Sequence, residues 1–70
     1  MDIKLKSFLF LDRFDETETE VVCENFDTAL SLFCHNFDIL FIVEKVEEGC
    51  VNKYGFPTVH ITGMSYTNKG

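Results

Sequence analysis

Cys23, Cys34, His35, Cys50 and His60 are the side chains best suited to nucleophilic or metal chemistry in this chain. Zinc accepts such ligands, and structural zinc sites present them as close pairs, C-x-x-C or H-x₃₋₅-H. Neither spacing occurs here. A Cys–His nucleophile needs the thiol and imidazole within hydrogen-bond reach and a third group to orient the base. Cys34 and His35 are adjacent on a helical stretch, so they diverge by roughly 100°. Cys23 falls on the core-facing side of one strand and His60 on the polar side of another. Cys50 lies in a turn with nothing to fix a partner. The 12 Asp+Glu single out no acid pair, and the 4 glycines are scattered rather than gathered into a phosphate loop. The reading is therefore no enzyme, no metal and no cofactor, with the thiols serving as small hydrophobes.

Charge narrows the partners. The 6 Lys+Arg against 12 Asp+Glu leave a net −6. Nucleic acid binding needs basic residues that displace counterions, so direct nucleic acid contact is not expected. An anionic membrane surface is disfavoured for the same reason. The longest unbroken apolar run, residues 39–43, is far below the roughly 20 residues of a membrane span. Lys4 and Lys6 beside Phe8 and Phe10 resemble a basic-aromatic platform for single strands by residue type alone, a weak signal among so many acids. The odd cysteine count and the lack of a secretory pattern favour a reducing cytoplasm over a disulfide framework.

The elements follow from hydrophobic periodicity. Residues 3–11 alternate: Ile3, Leu5, Leu9 and Leu11 form the expected core face, and Lys4, Lys6, Phe8 and Phe10 the other. A polar loop at 12–16 reads as a hairpin. Residues 17–24 alternate again, with Thr17, Thr19, Val21 and Cys23 opposite Glu18, Glu20, Val22 and Glu24. Then the period changes: Phe26, Ala29, Leu30, Phe33, Cys34 and Phe37 form a helical stripe, capped by Asn25 or Asp27. The apolar run at 39–43 suits a central strand, with 44–48 extending it. Residues 49–55 read as a turn. Pro57 marks the start of an edge strand, which alternates through Thr62 and ends or bulges at Gly63, with 64–66 continuing it.

The fold class expected is α+β, two layers, with a single helix packed on a four-stranded, mainly antiparallel sheet. The element order is ββαββ and the sheet order 2-1-3-4. Residues 1–66 form one small domain and residues 67–70 a frayed tail.

One helix covers one face of such a sheet. The reverse face is expected to carry Phe8, Phe10 and Val22 plus alternate residues of the third strand, rimmed by Glu18, Glu20 and Glu24. An apolar strip with a charged rim is the anatomy of a protein interface. The competing reading covers the strip with Tyr54 and Phe56 from the chain itself, and treats the acids as an edge strand's guard against aggregation. The functional expectation is a small acidic protein-binding module that occupies a surface of a larger protein. Its most concrete form is an inhibitor, antitoxin-like or of viral counter-defence type, of a nucleic-acid-processing enzyme. The partner-binding residues would be Phe8, Phe10, Glu18, Glu20, Val22 and Glu24, with the acids entering a basic groove. The alternative is a structural homo-oligomer, such as a homodimer, with no heterologous target. A cysteine-dependent enzyme and a single-strand binder are the weaker rivals.

Overall fold

The computed structural model describes residues 4–67, so Ile3 and the tail at 68–70 lie outside the described residues. The elements are β1 (Lys6–Asp12), β2 (Thr17–Cys23), α1 (Phe26–Phe37), β3 (Ile39–Val51) and β4 (Pro57–Thr67). Thr67, expected in the tail, is the last residue of β4 and pairs with Ile39. The expected turn at 49–55 is shorter, because β3 continues to Val51. The fold is α+β, with one helix and a mixed sheet of four strands.

The sheet order is β2-β1-β4-β3, not 2-1-3-4. β4 lies beside β1 and runs parallel to it, Ser7 opposite Thr58 and Phe10 opposite Ile61. The other two pairings, β1 with β2 and β3 with β4, are antiparallel. The chain thus passes from one edge strand, β2, through α1 to the opposite edge, β3. Two local signals pointed elsewhere. The apolar start of β3 belongs to an edge strand: Phe41 is buried, while Leu40 and Ile42 are exposed on the reverse face. Pro57 opens a central strand, and the first residue of a strand tolerates a missing amide donor.

Asn25 starts the helix. Its side chain accepts a hydrogen bond from the Thr28 amide at 2.8 Å, satisfying an orphan donor of the first turn. Asp38 ends it in the left-handed conformation (φ 51°), its amide reaching back to the carbonyls of Cys34 and His35. Aromatic contacts join this helix to the sheet. Phe33 stacks on Phe10 with ring centroids 4.6 Å apart, and meets Phe41 edge-on at 5.1 Å. Phe26 meets Phe8 at 6.4 Å. Ala29, Cys23, Val59 and Ile61 complete the core. Phe37, expected within the stripe, is instead exposed at the helix end, where its ring touches Phe33.

Phe8 and Phe10 are therefore core residues, 2% and 0% exposed, and not part of an open face. Both faces of β1 are apolar, so alternation alone does not choose between them. Hairpin geometry and ring size do. Asp12 pairs with Thr17 across the loop of residues 13–16, which sets Phe8 opposite Val21 and Phe10 opposite Thr19. Directly opposed residues share a face, so the two rings must lie on the side of Cys23. An aromatic ring also buries more area than an aliphatic chain, which favours placing the rings under the helix.

Candidate functional site

The reverse face of the sheet is built from the other set of alternate residues. β2 contributes Glu18, Glu20 and Val22, and Glu24 follows just beyond the strand. β1 contributes Ser7, Leu9 and Leu11, and β4 contributes Thr58, His60, Thr62, Met64 and Tyr66. β3 contributes Lys45 and Glu47 opposite Thr62 and His60, then Ile42 and Leu40 opposite Met64 and Tyr66. A bulge between Val43 and Lys45 leaves Glu44 as the extra residue. Its carboxylate is held by Arg13 at 2.5 Å.

Of the six residues expected to bind a partner, Glu18, Glu20 and Val22 are exposed and together on this side, and Glu24 is exposed just beyond the end of β2. Phe8 and Phe10 are replaced there by Leu9 and Leu11, half-buried and exposed respectively. Leu9, Leu11, His60 and Thr62 floor a shallow depression of about 320 Å³, with Glu18 on one margin and Glu47 on the other; Glu48 also borders it but pairs with Val59, which places its side chain on the helix side. β2 and β3 are three strand spacings apart, roughly 14 Å. Acids therefore line both sides of a floor of apolar and neutral groups.

The acids of the row are not equivalent. Glu20 accepts a hydrogen bond at 2.5 Å from the hydroxyl of Ser7, which is itself completely buried. Glu47 pairs with Lys45 at 3.0 Å. Among the described residues, Glu18, Glu24 and Glu48 make no ion pair. Gly49 fits β3 against this floor: a Cβ there would stand 2.6 Å from the Thr58 hydroxyl and 2.9 Å from the His60 ring. Thr58 donates its hydroxyl to the Cys50 carbonyl at 2.5 Å, fastening the turn end of β3 to β4.

At the other end of the strands the same face is neutral. Leu40, Ile42 and Tyr66 are exposed there beside Met64. Phe14, 73% exposed, lines a depression of about 360 Å³ with Met64, Ser65, Tyr66 and Thr67, where β4 runs on past the end of β1. This aromatic end escaped the sequence reading. Its signal was the run of alternate apolar positions beyond Gly63, continued by the loop phenylalanine. Neither Tyr54 nor Phe56 lines either depression.

The thiols are dispersed. Cys23 is buried and lies 3.2 Å from the Asn25 carbonyl, Cys34 is half-buried beside the helix stripe, and Cys50 is exposed. None of them lines the depression around His60. Among the described residues no three metal-ligating side chains converge, and no helix is long and apolar enough to cross a membrane. Comparisons with protein-family models, with characterised proteins and with solved structures found no match.

Proposed function

We propose that this chain is a small protein-binding module whose acidic sheet face occupies a basic groove on a larger protein, and that the groove is one that otherwise holds nucleic acid. The reading is supported above all by one observation: an exposed, partly apolar floor has carboxylates on both margins, and Glu18 and Glu20 on the β2 side have no cationic partner among the described residues. Apolar groups at the centre supply contact area, while the flanking charge fixes register and speeds encounter. Residues two apart on a strand stand roughly 6.8 Å apart on one face. Glu18 and Glu20 therefore present a regular pair of charges along one margin. The partner-binding set is Leu9, Leu11, Glu18, Glu20, Val22 and Glu24, with Glu47 opposite. In effect the module is an inhibitor of a nucleic-acid-processing enzyme by occupation of its substrate groove.

The test is competitive capture. Immobilised protein is exposed to host extract, and the retained proteins are challenged with duplex DNA, with RNA and with rising salt. A retained protein of basic surface should be released by nucleic acid and by salt, and the E18K/E20K/E24K variant should fail to retain it. Retention that is indifferent to nucleic acid and to the triple charge reversal contradicts the reading.

A further inference from the structure

We infer that the neutral end of the open sheet face pairs with a second copy of this chain, leaving the acidic half of each copy free. The residues are Phe14, Leu40, Ile42, Met64 and Tyr66, with Leu11 at their margin. They adjoin one another: Leu40 pairs with Tyr66, Ile42 with Met64, and Phe14 lines one depression with Met64 and Tyr66. They also include much of the chain's exposed hydrophobic surface, with Phe14 at 73%, Leu40 at 53% and Tyr66 at 52%.

Area and charge identify the occupant. Covering these two aromatic rings and four aliphatic side chains, which range from half-buried Met64 to Phe14 at 73% exposed, removes on the order of 400–500 Å² of apolar surface per copy. A stable interface takes about 800 Å² per partner, of which roughly 60% is apolar, so this end supplies the apolar core of a dimer of ordinary size. A chain of net −6 repels its own acidic surfaces. At this end, however, Glu44 is paired with Arg13, and the Asp12 and Asp15 carboxylates are taken up by hydrogen bonds from Ser65 and Phe14 and from Thr17. Two-fold pairing here directs the acidic halves outward. Glu18, opposite Leu11, is the acid of the row nearest this end, while Glu20 and Glu47, level with His60, stand six strand residues from Tyr66, roughly 20 Å. Charge repulsion across that distance is largely screened at physiological salt, where the Debye length is about 8 Å. Pairing through the acidic half would instead bring Glu18, Glu20 and Glu47 of each copy together. The dimer then carries two groove-filling faces on one body, which suits a target with two equivalent grooves. Leu11 at the margin is shared, but the pairing is otherwise carried by different residues from the partner-binding reading and does not depend on it.

Sedimentation equilibrium over a wide concentration range tests the pairing. The expected result is a monomer–dimer equilibrium with Kd on the order of 10 µM or tighter. Adding salt should tighten it, because screening relieves repulsion between acidic chains while the contact is apolar. Binding to a basic groove has the opposite salt dependence, so the two associations are separable. Phe14→Ser alters only an exposed loop residue and should weaken the dimer at least about tenfold, as should Ile42→Lys, with circular dichroism unchanged. Val22→Lys, at the far end of the same face, should leave it intact. A monomer at every concentration overturns the proposal, as does a dimer that survives both Phe14→Ser and Ile42→Lys. Neither outcome bears on capture of a basic partner.

Discussion

Asp12 shows how one side chain can finish a strand pairing that the backbone leaves incomplete. β1 ends at Asp12 while β4 continues, so the amide of Ser65 loses its neighbour on that side. The Asp12 carboxylate takes over, accepting hydrogen bonds from the Ser65 amide at 3.3 Å, from the Ser65 hydroxyl, and from the Phe14 amide at 2.9 Å. Burial by itself pushes this carboxyl up. The hydrogen bonds from the Ser65 side chain and from the Phe14 and Ser65 amides outweigh it, and the group sits below its ordinary value. A lowered pKa in the folded state adds stability above the unfolded value, near 3.9, that is lost as pH falls through the folded value. Asp12→Asn keeps one acceptor oxygen but not the charge. It should cost about 1–2 kcal/mol at pH 7, with the gap closing as the medium is acidified below pH 4. Urea titrations of both proteins from pH 7 to 2.5 check this, and a gap independent of pH would show that the carboxylate's charge contributes nothing. Gly63, the partner of Asp12 in the last β1–β4 pair, has a steric constraint: a Cβ would meet the Ile42 carbonyl at 2.2 Å and the Phe41 ring at 2.6 Å. The apolar ring thus covers a position that only glycine can fill, which is why the strand runs through it.

At the scale of elements, the sequence made every element legible by its period, and the failures concern how they are assembled. α1 was readable because its stripe and its cap agree. The Asn25 side-chain bond to the Thr28 amide is local and is written in a short stretch of sequence. Removing it with Asn25→Ala should destabilise the fold by about 1 kcal/mol, measurable as a lowered urea midpoint at unchanged slope. Asn25→Ser, which restores a capping oxygen, should recover most of the loss. If Asn25→Ser is as damaging as Asn25→Ala, the contribution is not from capping. The face of β1 was legible too, but only by combining strand and loop. With Asp12 opposite Thr17, Phe10 and Val22 fall on opposite sides, so a face holding Phe8, Phe10 and Val22 together was excluded by hairpin parity. The β1–β4 pairing was not legible. It joins residues about fifty positions apart, Ser7 with Thr58, and no local pattern encodes a partner at that distance. The acidic row was read correctly because Glu18, Glu20 and Val22 share one strand, where period two suffices.

For the whole molecule, the decisive quantity is charge in relation to size. The described chain measures 42 × 24 × 17 Å. At 0.01 M salt the Debye length is about 30 Å, longer than two of those dimensions, so nearly every charge feels every other; at 0.15 M it is about 8 Å, and only neighbours interact. With net −6, folding at low salt therefore works against self-repulsion. A surface kept for solubility alone does not require its acids to be gathered along one strand. Glu18 and Glu24 have no ion-pair partner among the described residues, so in the isolated protein they contribute repulsion and little else. Functional sites are where stability is conceded in this way. Replacing both, as E18Q/E24Q, should raise the stability of the free protein by about 0.5–1 kcal/mol at low salt. The gain should disappear by about 0.5 M, where screening already does the same work. The same variant should bind a basic-groove partner more weakly, so stability and binding move in opposite directions. Thermal unfolding at both salt concentrations, set beside capture of the partner, separates the cases. A variant that loses stability at low salt would mean that the row supports the fold, and the argument for an acidic face held ready for a cationic surface would fail with it.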